Sequence, residues 1–167
     1  MNMHETNISA EKNELTVTRI FDAPVELLWQ AWTDVVLLDQ WWAPKPWKSQ
    51  TKRMVFEEGG NRLYAMVGPN GEEHWGLTNY KTIVELERFT GEDAFCDKEG
   101  NANAELPVAK FANQFAADGN RTIVTILTEY ASEEHLQQII AMGMKEGLRM
   151  AFENLDEMLS ATTATTV

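Results

Sequence analysis

The sequence predicts an α+β domain: an antiparallel sheet closed by one long C-terminal helix. Three observations carry this. Strand-like segments follow one another through tight turns, and they do not alternate with helices as βαβ units would. Two of those turns, Pro69-Asn70-Gly71 and Asp118-Gly119-Asn120, supply the fixed and left-handed backbone angles that hairpins need. From Ser132 onward the apolar residues recur at helical spacing over about 40 Å, at roughly 1.5 Å per residue.

The elements follow in order. Residues 1–14 are polar and mixed in charge and read as a flexible tail. Leu15 to Phe21 alternates as a short strand. Asp22-Ala23-Pro24 reads as a helix start, with Asp22 capping free N–H groups and Pro24 tolerated in the first turn. Val25, Leu28, Trp29 and Trp32 have helical spacing. Thr33-Asp34 opens a second short helix carrying Val35, Leu38, Trp41 and Trp42, which Pro44 and Pro46 end.

Strands come next: Thr51 to Glu57, Asn61 to Val67, Glu73 to Val84, Arg88 to Cys96, Leu106 to Ala116 and Thr122 to Tyr130. In the last of these, Thr122, Val124, Ile126, Thr128 and Tyr130 share a face. The closing helix carries Leu136, Ile139, Ile140, Gly143, Gly147, Ala151, Leu155 and Met158 on one side. Residues 160–167 read as a frayed end, which leaves residues 15–159 as a single domain.

Composition excludes several function classes. The 167 residues hold 26 acidic against 14 basic side chains, a net charge of -12, without a basic cluster, so a nucleic-acid partner is not expected. No run approaches the roughly 20 apolar residues of a membrane helix, so no membrane insertion is expected. The N-terminus lacks the apolar centre of a signal peptide, and one cysteine, Cys96, cannot form an internal disulfide. Both point to the cytoplasm. The three histidines lie in separate segments and no phosphate loop, dinucleotide fingerprint or nucleophile elbow is present, so neither a metal nor a cofactor is expected.

Candidate binding residues come from strand parity and helix faces. Met54 and Phe56 share one parity, and so do Tyr64 and Met66; if those faces point inward they form one deformable apolar wall. His74 shares a face with Gly76, Thr78 and Tyr80, bringing an imidazole and a phenol together. Trp41 and Trp42 cannot both face inward on one helix, which puts one of them at a rim or cavity entrance. Gly143 and Gly147 each cost roughly 1 kcal/mol in a helix interior. Either tight packing against the sheet or ligand space beside Met144 offsets that.

A set of motifs runs through the chain: Arg19 to Pro24 with Val25 and Trp29; Ala31-Trp32-Thr33, Leu38 and Gln40-Trp41-Trp42; Phe56 and Glu58-Gly59-Gly60; Gly71 and His74 to Tyr80; and Met142 to Gly147 with Leu155. In this order and spacing the sequence resembles the Bet v 1-like, START-related superfamily, and within it the family named after the C-terminal domain of the activator of Hsp90 ATPase. Leu148 departs from the pattern, standing where many relatives have Trp. The resemblance implies a helix-grip fold, a curved sheet around the long helix with a cavity between them. It implies a small hydrophobic or amphipathic molecule as the ligand, with Trp41, Met54, Phe56, Tyr64, Met66, His74, Tyr80, Gly143, Met144 and Gly147 as candidate contacts and no assigned catalytic residue. Two other functions stay open. One is a cochaperone-like module that binds a chaperone or other protein, favoured by an exposed Trp41 or Trp42 in an acidic patch. The other is a cyclase- or hydrolase-like enzyme, favoured by His74, Tyr80, Glu87 or Arg88 clustering around the cavity.

Overall fold

The computed structural model describes residues 5–165. Its elements are β1 (Asn7–Glu11), β2 (Glu14–Phe21), α1 (Val25–Thr33), α2 (Val35–Trp41), β3 (Lys48–Met54), β4 (Asn61–Val67), β5 (Glu73–Val84), β6 (Arg88–Cys96), β7 (Ala109–Asp118), β8 (Arg121–Glu129), α3 (Glu133–Ala141) and α4 (Met144–Thr165). The strands form one antiparallel sheet in the order β1-β2-β8-β7-β6-β5-β4-β3. With α4 as the long C-terminal helix against its concave face, this is the helix-grip fold.

Several boundaries correct the sequence reading. The expected tail contains β1, which pairs with β2 from Asn7↔Thr18 to Glu11↔Glu14. Most of its side chains are exposed, so backbone pairing and not burial holds it, and no apolar alternation announces it. Helix α1 starts at Val25 with Pro24 as its N-cap and no side-chain cap, so Asp22 does not serve there. Asp34 does cap α2, accepting from the N–H groups of Val36 and Leu37. The first strand after the short helices starts at Lys48, three residues earlier than expected.

The closing helix is two helices. Gly143 sits between α3 and α4 with φ of 91°, a left-handed angle that glycine adopts without the Cβ penalty. It is therefore a turn residue. Helix α4 continues to Thr165, through most of the stretch expected to fray, and the Thr162 hydroxyl donates to the Met158 carbonyl. Residues 1–4, 166 and 167 of the two expected tails lie outside the described residues.

An aromatic core sets the helices on the sheet. Trp32 meets Phe21, Trp41, Phe115 and Phe152 edge-on, and Trp29 meets Phe56, Phe89 and Phe115 the same way. Such pairs contribute about 0.5–1.5 kcal/mol each beyond burial. Arg19, 2% exposed, joins β2 to α4: both terminal nitrogens donate to the Asp156 carboxylate, and Nη1 also donates to the Ile20 carbonyl. Among the described residues no helix is long and apolar enough to cross a membrane.

Candidate functional site

A cavity of about 310 Å³ lies between the sheet and the C-terminal helices. Its walls follow from strand parity. Arg62, Tyr64 and Met66 alternate along β4; His74, Gly76, Thr78 and Tyr80 along β5; Phe89, Asp93 and Phe95 along β6. Phe111 and Asn113 come from β7, Ile126 and Thr128 from β8, with Tyr130 just beyond it. Helix α4 closes the space with Met144, Leu148 and Phe152, a stripe repeating every four residues, and α3 adds Ile139.

Two polar clusters interrupt the apolar wall. Arg62 is 2% exposed and lies 4.0 Å over the Tyr64 ring. Its Nη2 donates to Asp39 Oδ1 at 3.2 Å and to Ser49 Oγ at 2.9 Å, and its Nε donates to Thr51 Oγ1 at 3.1 Å. Asp39 in turn accepts from both hydroxyls and from the Thr51 N–H. The cation is thus paired with Asp39 and hydrogen-bonded through Nε and Nη2 on the side of α2 and β3.

The second cluster centres on Asp93. Its Oδ1 accepts from the Thr78 hydroxyl at 2.6 Å, and no other hydrogen bond or ion pair reaches the carboxyl among the described residues. Protein surrounds it, yet it keeps some accessible surface because it borders the cavity. Burial pushes its carboxyl up to about 6, against the opposing effects of the Thr78 hydrogen bond and the Arg62 charge. Burial, reinforced by Asp93, pushes the Tyr130 phenol up to about 12 and raises Tyr64 as well. Tyr80 is also raised, chiefly by burial. All three phenols therefore stay neutral near pH 7. Asn113, 7% exposed, has no side-chain hydrogen bond among the described residues.

The structure brings together Tyr64, Met66, His74, Tyr80 and Met144 of the candidate residues, all on the cavity wall. It places the other five elsewhere. Trp41 is fully buried in the core, its Nε1 donating to the Ala31 carbonyl at 2.9 Å, and Trp42 is the indole that faces the cavity. Met54 and Phe56 pack against the core outside the cavity. Met54 pairs with Arg62 and so shares the face of Tyr64 and Met66, but it ends β3, and Phe56 follows the strand and packs on Trp29, Tyr80 and Phe89. Gly143 makes the inter-helix turn, and Gly147 lies near Pro44, where an added Cβ would sit at an ordinary 3.8 Å.

Sequence reasoning missed Arg62 and Asp93, and the signal was present. Arg62 shares the parity of Tyr64 and Met66, and Asp93 that of Phe89 and Phe95; a charge on an apolar parity marks a buried polar group. The conditions set for the alternative functions are met only in part: His74 and Tyr80 do line the cavity. Neither Trp41 nor Trp42 offers an exposed ring, and Glu87 and Arg88 are exposed away from the cavity. No cluster of three or more metal-ligating side chains occurs among the described residues.

Comparison with known proteins agrees with this architecture. The family model described as "Activator of Hsp90 ATPase homolog 1-like protein" matches residues 22–160. A solution structure of a protein from Arthrobacter aurescens is 32% identical, with a TM-score of 0.87, over 96% of this chain and 93% of that one. A crystal structure of a protein from Mycobacterium smegmatis is also 32% identical, with a TM-score of 0.84, over 93% of this chain and 95% of that one. A protein from Staphylococcus epidermidis, 24% identical with a TM-score of 0.83 over 93% and 94%, shares the fold. No match is found among curated proteins. The chain belongs to the activator of Hsp90 ATPase homolog 1-like family, within the START-related superfamily, whose fold supports a general ligand-binding role.

Proposed function

We propose that this protein holds one small amphipathic molecule in the cavity between sheet and α4, with no reaction assigned to it. The observation that carries the reading is the cavity itself. Its volume of about 310 Å³ is at the lower end of the roughly 300–1,000 Å³ typical of small-molecule sites. Its lining is mostly apolar, with a few convergent polar groups. An apolar ligand body would gain by leaving water against Phe89, Phe111, Leu148 and Phe152, while Asp93, Thr78 and Asn113 would orient a polar end. Met66 and Met144 give the wall flexible, polarizable groups that adapt to ligand shape. The protein's setting is proposed to be the cytoplasm, in line with its single cysteine.

Native mass spectrometry of gently purified protein tests the reading. The expected result is a defined small-molecule adduct that is released on denaturation. Ligand-free protein that also fails to bind any amphipathic probe at the cavity would overturn it.

A further inference from the structure

We infer that the polar end of the ligand is a protonated amine, seated on the Asp93 carboxylate. This rests on the cavity being a ligand site and names the class of molecule it takes.

The argument is one of charge accounting. Among the described residues, Arg62, His74 and Asp93 are the ionisable side chains on the wall besides the tyrosines. The Arg62 charge is already paired with Asp39 at 3.2 Å, and its Nε and Nη2 also donate to Thr51 and Ser49. His74 is at an exposed part of the wall, its ring 5.2 Å from that of Trp47. Asp93 is different. It lines the cavity, receives one neutral hydroxyl from Thr78 at Oδ1, and has no ion pair and no partner at Oδ2 among the described residues.

An unpaired carboxylate in an apolar wall is costly, and a cation that reaches it offsets that cost. The helical wall supplies none: Ile139, Met144, Leu148 and Phe152 are all uncharged. An ammonium group has donors to spare after meeting Asp93. The Tyr80 and Tyr130 hydroxyls share the wall, have no hydrogen-bond partner in the described protein, and remain neutral acceptors near pH 7. The net charge of -12 also favours entry of a cation over an anion. A carboxylate ligand would face Asp93 with like charge and meet an Arg62 whose charge is already paired with Asp39.

The test uses three probes on one ring system: 2-(1-naphthyl)ethylamine, 2-(1-naphthyl)ethanol and 1-naphthylacetate, titrated calorimetrically into the intact protein at pH 7.5. The amine is expected to bind roughly tenfold or more tighter than the alcohol, as a charge-assisted contact should, and the carboxylate weakest. In Asp93→Asn the amine-to-alcohol affinity ratio should fall to about two or less, since only the amine forms an ion pair with the carboxylate. Should that variant not fold, the amine-to-alcohol ratio in the natural protein decides alone. An alcohol or carboxylate that binds as well as the amine overturns the proposal and leaves the cavity reading standing. So does an amine preference that survives in Asp93→Asn. Failure of all three probes to bind overturns both.

Discussion

Gly76 and Tyr64 face each other across the β4–β5 ladder, and the ring of Tyr64 occupies the place where a side chain at 76 would stand. A Cβ on Gly76 would fall 2.7 Å from both Cζ and Oη of Tyr64. The ring cannot move freely away, because Arg62 lies over it and Trp42 meets it edge-on. The glycine therefore sets the shape of the cavity wall. Gly76→Ala should push the Tyr64 ring toward the cavity and cost about 1–3 kcal/mol, the range for overpacking a well-filled site. Urea denaturation measures the cost, and a probe titration should show weakened binding in the same variant.

Asp93 makes stability depend on pH in a direction opposite to most carboxylates. Its folded pKa of about 6 is above the ordinary 3.8, so the native state binds the proton more tightly than the unfolded chain does. The stabilisation is fully present below about pH 4 and is lost as pH rises through 6. Asp93→Asn keeps the shape and an acceptor for Thr78 but never ionises. It should be more stable than the natural protein by about 1–3 kcal/mol at pH 7.5. That difference should shrink toward zero as pH falls to 4. Paired urea denaturations across this range check it, the comparison cancelling the titration of all other groups.

The Arg19–Asp156 pair should show an asymmetry. Arg19 is 2% exposed and Asp156 26%, so removing the acid strands a buried guanidinium, whereas removing the base leaves a carboxylate that still reaches water. Asp156→Ala should cost about 3 kcal/mol or more. Arg19→Met, which keeps an apolar stem over Phe21, should cost less. Equal losses in thermal or chemical denaturation would contradict this account of how α4 is anchored.

How much of this was legible depended on whether side chains or the backbone made the decision. The hairpin turns, the Asp34 cap and the inward face of β5 are written in residue types and parity, and the structure has them. The edge strand β1 is held by backbone pairing with mostly exposed side chains, so its sequence carries no pattern to read. Met54 and Phe56 lie off the wall because β3 ends at Met54, and the sequence does not mark where that strand stops. Gly143 was read as a gap in a helix face when it is the hinge between two helices; only its φ of 91° distinguishes the two. Trp41 is the inward one, packed on Trp32 and Phe152 with its indole donating to the Ala31 carbonyl, contacts between elements that no single helix discloses. Asp93 is legible from its alternation with Phe89 and Phe95, although a charge on a strand more commonly marks a solvent face.

The most direct measurement of the central claim fills the cavity from its helical wall. Leu148 borders the cavity on α4, between Met144 and Phe152. Leu148→Trp should place an indole in the space a ligand would use without disturbing the sheet. N-phenyl-1-naphthylamine fluorescence is titrated into the natural protein and the variant, with melting temperatures recorded for both. The account predicts saturable one-to-one binding to the natural protein, weakened by roughly tenfold or more in the variant at a similar melting temperature, as expected when a pocket's volume is taken up. Equal binding by both proteins, or no saturable binding by the natural one, would contradict it.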